Sequence, residues 1–184
     1  GAEDVPDTKD GRAAYRLSPA QRQKGQARLR VGEMLLYCFP GSPTVFYGDE
    51  AGMEGFEDPF CRVCYPWGHE DAQMLARYQA MTAMRNAHPV LRTGECVYLA
   101  PCADVLGVIR KNESGRDAFG SQAENACAVT LINRSAKEVV VYLTAEDVCG
   151  AKTLVTDDGQ TLSARGGAFS VKVKGLQGMT GFAE

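Results

Sequence analysis

Five carboxylates, Asp49, Glu50, Glu54, Glu57 and Asp58, crowd into ten residues just after an apolar run, Pro43-Thr44-Val45-Phe46-Tyr47. In barrel folds such a position, beyond the C-terminal end of a parallel strand, is where active sites are built. A carboxylate pair there suits glycoside hydrolysis, in which one group is the acid and the other the nucleophile or base. The plainer reading has Asp49 and Glu50 accepting from loop amides or pairing with an Arg. Cys61-Arg62-Val63-Cys64 has the spacing of half a zinc site or of a redox pair. A structural zinc needs four ligands, and the sequence offers no second C-x-x-C and no paired His, only His69 and His88. No metal and no cofactor are expected. Nucleophile elbows, phosphate-binding loops, dinucleotide fingerprints and H-E-x-x-H are absent from the sequence.

The elements that must position these groups fall into two textures. Gly1 to Leu17 is polar and aperiodic, and is expected to be a loop or mobile arm. Ser18-Pro19-Ala20-Gln21 combines an N-cap hydroxyl, a Pro in the first turn and a Gln three residues on, so a helix is expected to start there and run to about Phe39. Its apolar face is Ala27, Val31, Met34, Leu35 and Cys38. Pro43 to Tyr47 has no polar alternation and is expected to be a buried strand of the parallel-sheet kind. Gly48 to Gly68 is a long loop, and loops of that length are more often functional than idle. A second helix is expected from Glu70 to His88, with Met74, Leu75, Tyr78, Met81 and Met84 in one stripe and Pro89 as the stop.

After Leu91 the pattern becomes short β-rich runs: Cys96 to Ala100, Val105 to Lys111, Ala126 to Ile132, Val139 to Leu143, Thr153 to Val155 and Phe169 to Val173. Turn clusters separate them, which predicts a small antiparallel sandwich or barrel. Tyr98, Tyr142 and Phe169 lie in such runs and are expected in its core. Asn112 to Asn125 is expected to be an exposed excursion. The boundary between the two textures is placed near Leu91 to Gly94.

With 184 residues the chain is too short for a complete (β/α)8 barrel, which needs about 200 at the least. A net charge of -3 without a basic cluster argues against nucleic acid as a partner. No stretch has the length of a membrane span, and nothing resembles a signal peptide, so a cytoplasmic protein with no membrane partner is expected. The seven Cys are read as reduced thiols. A start at Gly rather than Met is read as a processed product or a piece of something longer.

Gly41-Ser42-Pro43-Thr44-Val45-Phe46-Tyr47-Gly48-Asp49-Glu50-Ala51-Gly52-Met53-Glu54-Gly55 resembles, almost letter for letter, the segment around the eighth barrel strand of the α-amylase superfamily of glycoside hydrolases. Asp58-Pro59-Phe60-Cys61-Arg62 with Tyr65-Pro66-Trp67 is similar to a loop of the neopullulanase, cyclomaltodextrinase and maltogenic amylase branch. Ala87-His88-Pro89-Val90-Leu91-Arg92 is similar to that family's passage from the last barrel helix to its C-terminal β domain. Phe46, Val63 and Cys64 depart from the commoner pattern of Tyr, Arg and Pro.

The resemblance implies an α/β plus all-β fold: residues 1–91 as the C-terminal segment of the catalytic barrel (helix 7, strand 8, helix 8), and residues 92–184 as the β-sandwich domain. It implies a retaining hydrolase of α-glucans, namely maltooligosaccharides, cyclodextrins or pullulan. The family's three catalytic carboxylates have no counterpart in this sequence, so no catalytic residue is assigned and the chain alone is expected to be inactive. Asp58 and Arg62 are the implied substrate-binding residues, gripping a glucose unit on the non-reducing side of the cleaved bond; a purely local Asp58–Arg62 ion pair is the alternative. Trp67 is expected chiefly to pack its loop onto the barrel, with sugar stacking as the lesser role. A non-catalytic β module for packing, dimerisation or weak glucan binding is the competing function. Because the strand at Val45 to Tyr47 lacks encoded neighbours, self-association or partial disorder before residue 90 is expected.

Overall fold

The run of β-rich segments after residue 94 folds into antiparallel sheet, and the few helices precede it. The computed structural model describes residues 4–184. Eight strands follow one another: Glu95–Cys102 (β1), Val105–Asn112 (β2), Ala126–Asn133 (β3), Val139–Thr144 (β4), Thr153–Thr156 (β5), Thr161–Ser163 (β6), Ala168–Val173 (β7) and Gln177–Ala183 (β8). One sheet has the order β1-β2-β3-β8-β5-β6, and β4 pairs with β7 in a second. Between the sheets lies a core that includes Ile109, Val129, Leu131, Val141, Leu143, Phe169 and Val171.

The strands at the centre of the large sheet are buried along nearly their whole length, because both faces are covered. Residues of one parity meet β4 and β7; those of the other, among them Val108 and Ile132, meet the helices. The helix Pro19–Cys38 (α2) crosses this second face, and Ala72–Ala87 (α3) packs beside it. The N-terminus of α2 carries the expected capping box: Ser18 Oγ accepts from the Gln21 N–H at 3.3 Å, and Gln21 Oε1 accepts from the Ser18 N–H at 2.8 Å. The α2 residues that are fully buried are Glu33, Met34, Tyr37 and Cys38, so two polar side chains join the expected apolar stripe. Glu33 is neutralised by Arg77 of α3, at 2.5 Å. Cys38 donates to Thr130 Oγ1 at 3.0 Å, and burial pushes its thiol pKa up to about 11, which leaves it unreactive.

Four expectations are corrected. The opening segment contains a helix, Lys9–Ala14 (α1), capped by Thr8 accepting from the Gly11 N–H, where only a loop was expected; residues 1–3 of that segment lie outside the described residues. Pro43 to Phe46 has no regular secondary structure, Tyr47 enters a turn, and no strand among the described residues pairs with them; Phe46 and Tyr47 are 53% and 45% exposed, since a strand forms only against a partner. Tyr98 and Tyr142 are exposed, pointing away from the core that Phe169 enters. Gln177–Ala183, which was not anticipated, is a central strand of the large sheet. Gly178 makes that placement workable: a Cβ there would stand 2.7 Å from Met34 Cγ and 3.2 Å from the Leu131 carbonyl oxygen.

Arg110 of β2 joins the two parts. It is 1% exposed and has no carboxylate partner among the described residues; its guanidinium donates to the carbonyls of Cys38 (3.0 Å), Leu91 (2.9 Å), Arg92 (3.4 Å) and Gly94 (2.7 Å). Those oxygens belong to the C-terminus of α2 and to the short helix Val90–Thr93 (α4) with its cap. The total accessible surface is 11032 Å², against about 8,600 Å² for a folded chain of 19.8 kDa, so the chain exposes more than its mass requires. Replacing Arg110 by Met is expected to lower unfolding free energy by about 3 kcal/mol or more, since several buried carbonyls lose their donor at once. Arg92→Met, at an exposed side chain, is expected to stay within about 0.5 kcal/mol; urea denaturation of both variants checks the contrast.

Candidate functional site

The segment from Gly41 to Asp71 is held at both ends. Its start is fixed by Arg85 of α3, buried at 5% exposure, which donates to the carbonyls of Tyr37 (2.5 Å), Phe39 (3.2 Å) and Gly41 (2.5 Å). The last carbonyls of a helix lack intrahelical donors, and α2 has no basic residue in its own last turn. The far end is fixed by Asp71, whose N–H donates to the Ala51 carbonyl at 2.9 Å and whose carboxylate caps α3 by accepting from the N–H groups of Gln73 (3.0 Å) and Met74 (3.1 Å). The side-chain amide of Gln26 donates to the same carboxylate at 2.8 Å, which ties α2 to this cap. Residues 51–71 thus form a loop whose ends touch.

Within it, Glu50 accepts from the Gly48 N–H at 2.9 Å, while Gly48 has φ +91° and a Cβ there would collide with Met53. Burial, and next to it the charge of Glu50, raise the Asp49 pKa above the usual carboxylate value. The Glu50 carboxylate is thus used in shaping the turn. Glu54 accepts from the Leu17 N–H at 2.9 Å and forms an ion pair with Arg22; Glu57 pairs with Arg12 of α1. Tyr47 Oη donates to the carbonyls of Cys61 (3.3 Å) and Val63 (2.8 Å), pinning the loop tip against the segment 43–47.

Asp58 and Arg62 are brought together at that tip. Arg62 Nε lies 2.5 Å from Asp58 Oδ1, and Arg62 Nη2 donates to Asp58 Oδ2 at 3.1 Å, a two-pronged pair with the side chains 62% and 70% exposed. Neither lines the large adjacent cavity of about 970 Å³; its walls are made by neighbours such as Pro59, Phe60, Val63 and Cys64, with Tyr15 and Met53 opposite. Trp67 does not pack the loop down as expected. It is 80% exposed, with its ring 4.5 Å from that of Tyr65. Cys61 and Cys64 are free thiols, and among the described residues there is no group of three or more His, Cys, Asp or Glu able to hold a metal.

Arg85 and Arg110, which decide where this loop leaves the helix, were not singled out from sequence. Arg110 carries a signal in hindsight, a charged residue directly after the apolar run Val105 to Ile109.

The arrangement offers a carboxylate acceptor and a guanidinium donor on an exposed tip beside a cavity, which suits a polyhydroxylated ligand. Proteins of that class are the homologues of the chain: they are α-amylase-type glycoside hydrolases, amylopullulanase, maltogenic amylase and cyclomaltodextrinase. An amylopullulanase from Thermoanaerobacter thermohydrosulfuricus is 32% identical over 162 residues, covering 88% of this chain and 11% of its own length. A cyclomaltodextrinase from Bacillus sp is 36% identical over 85 residues, 45% of this chain and 15% of its own. The crystal structure of an Anoxybacillus α-amylase superimposes with a TM-score of 0.73 at 21% identity, over 86% of this chain and 32% of that one, a likeness of fold. The chain thus spans about a tenth of the amylopullulanase it matches. No protein-family model matches it. No helix among the described residues is long and apolar enough to cross a membrane.

Backbone donors hold the Asp71 carboxyl below its usual pKa, chiefly the Met74 N–H, with Gln26 and Gln73 adding to it. A group whose pKa is lower in the folded state stabilises above its unfolded pKa and loses that contribution as pH falls through the folded value. Asp71→Ala is expected to cost about 1 kcal/mol at pH 7, with the gap to the parent chain narrowing below about pH 4; denaturation series at pH 7, 4 and 2.5 check this.

Proposed function

We propose that the chain is a C-terminal part of a retaining α-glucan hydrolase acting on maltooligosaccharides, cyclodextrins or pullulan. Residues 1–91 contribute the last helix–strand–helix portion of its catalytic barrel, and residues 92–184 its β-sandwich domain. The observation that carries this reading is the homology to amylopullulanase, which runs over 88% of the chain and so across both the helical and the β-rich parts. The unpaired segment 43–47 between two helices and the surplus accessible surface support it, since both suit a sheet whose other strands come from elsewhere.

In this reading the two catalytic carboxylates of retaining hydrolysis, one proton donor and one nucleophile, lie outside the chain. What the chain adds is grip. Asp58 accepts from sugar hydroxyls and Arg62 donates to them; their mutual pairing leaves lone pairs on the carboxylate and N–H groups on the guanidinium free. The site of action is cytoplasmic, the partner is an α-glucan oligosaccharide, and no cofactor takes part. The isolated chain releases no glucose or maltose, and it self-associates through the open edge at 43–47.

The test is to sequence the coding DNA upstream of Gly1 and express the product of the whole frame. An open frame encoding the family's carboxylate motifs, and a product that hydrolyses maltohexaose with retention at the anomeric carbon, supports the reading; a frame without them overturns it. In that product Asp58→Asn and Arg62→Met are each expected to raise KM about tenfold while kcat changes about twofold or less, the pattern of binding lost equally in ground and transition states.

A further inference from the structure

We infer that Trp67, backed by Tyr65, is a stacking platform for a glucose residue of the bound α-glucan at the rim of the 970 Å³ cavity. The inference rests on the reading above and adds a ligand-contacting residue to it. Trp67 is 80% exposed, although burying a ring of that size is strongly favourable. Its chain neighbours Pro66 and His69 line the cavity, which places the Trp67 backbone beside it although the indole is not part of the wall. It also shares the 58–69 stretch with the Asp58–Arg62 pair.

The platform is held in place before any ligand arrives. The Trp67 N–H donates to the Tyr65 carbonyl at 3.0 Å and the His69 N–H to the Pro66 carbonyl at 2.8 Å, which folds the backbone into a tight turn. The indole packs on the Tyr65 ring with centroids 4.5 Å apart at 48°. Tyr65 is itself half-buried. A rigid aromatic surface with few rotatable bonds loses little entropy on binding.

The chemistry favours sugar over an apolar protein segment. A pyranose ring presents C–H bonds on its faces and hydroxyls around its edge. The indole supplies the matching flat face together with an N–H that donates to no group among the described residues. The charged pair of Asp58 and Arg62 on the same tip suits hydroxyls and would be costly to cover with apolar surface.

Trp67 is the single Trp of the chain, so intrinsic fluorescence reads this one ring. Titration of the 184-residue chain with maltohexaose is expected to give a saturable change in its emission, and titration with cellohexaose none. In amylopectin gels Trp67→Ala is expected to weaken retardation about tenfold, Trp67→Phe to keep most of it, and Tyr142→Ala, on the exposed face of β4, to leave it unchanged. Emission insensitive to maltohexaose, or retardation by the Ala variant equal to that of the parent chain, overturns the inference. Hydrolysis by the product of the whole frame with KM unaltered in Trp67→Ala removes the platform and leaves the hydrolase reading intact, whereas a product without hydrolysis removes the reading itself.

Discussion

A guanidinium sealed away from water, with only carbonyl oxygens for company, holds this fold together. Arg110 arises from the middle of the large sheet and meets the ends of two helices, where backbone oxygens have no intrahelical donors. The partial negative charge that accumulates at helix C-termini compensates the buried cation without any carboxylate. Desolvation lowers its pKa, but an Arg has far to fall before it loses its proton. A Lys in its place could not reach three chain segments at once. The sheet and helices are therefore joined by hydrogen bonds that neither part can satisfy alone.

Around that joint the packing is two-sided. Thr130 and Thr180, on adjacent strands, share a hydrogen bond of 2.9 Å, and Cys38 and Met34 of α2 complete the buried cluster. Within this cluster the polar atoms are each other's partners, which limits the desolvation penalty of bringing helix against sheet there. Arg85 repeats the device one turn further on, turning the chain out of α2 and into the loop. The direction in which the Asp58–Arg62 tip is presented thus descends from two arginines more than twenty residues beyond it.

Local chemistry was legible and partnership was not. The Ser18 capping box and the Pro89 stop act within a few residues, and both helices form where such signals put them. Pro43 to Tyr47 shows the opposite case: its side chains favour a strand, but strand character belongs to a pair, and no neighbour is at hand. Gln177–Ala183 failed in the other direction. Its two glycines lower strand propensity, yet the sheet needs that strand at its centre, and Gly178 is what lets Met34 approach. Tyr98 and Tyr142 were misplaced because alternation reveals two faces without saying which is wet. At the candidate site the four-residue spacing of Asp58 and Arg62 made their pairing foreseeable; the outward turn of Trp67 depends on how the whole loop closes.

That closure has a meaning for how such proteins diversify. Ala51 and Asp71 are hydrogen-bonded across the neck of the loop, so the spacing of its two ends does not depend on how much chain lies between them. Doubling the length of a flexible insertion costs only about 0.6 kcal/mol in closure entropy. The neck behaves as a socket: tips of different length and composition, carrying other aromatic rings or other charge pairs, can be exchanged above it while the two arginines keep the mounting unchanged.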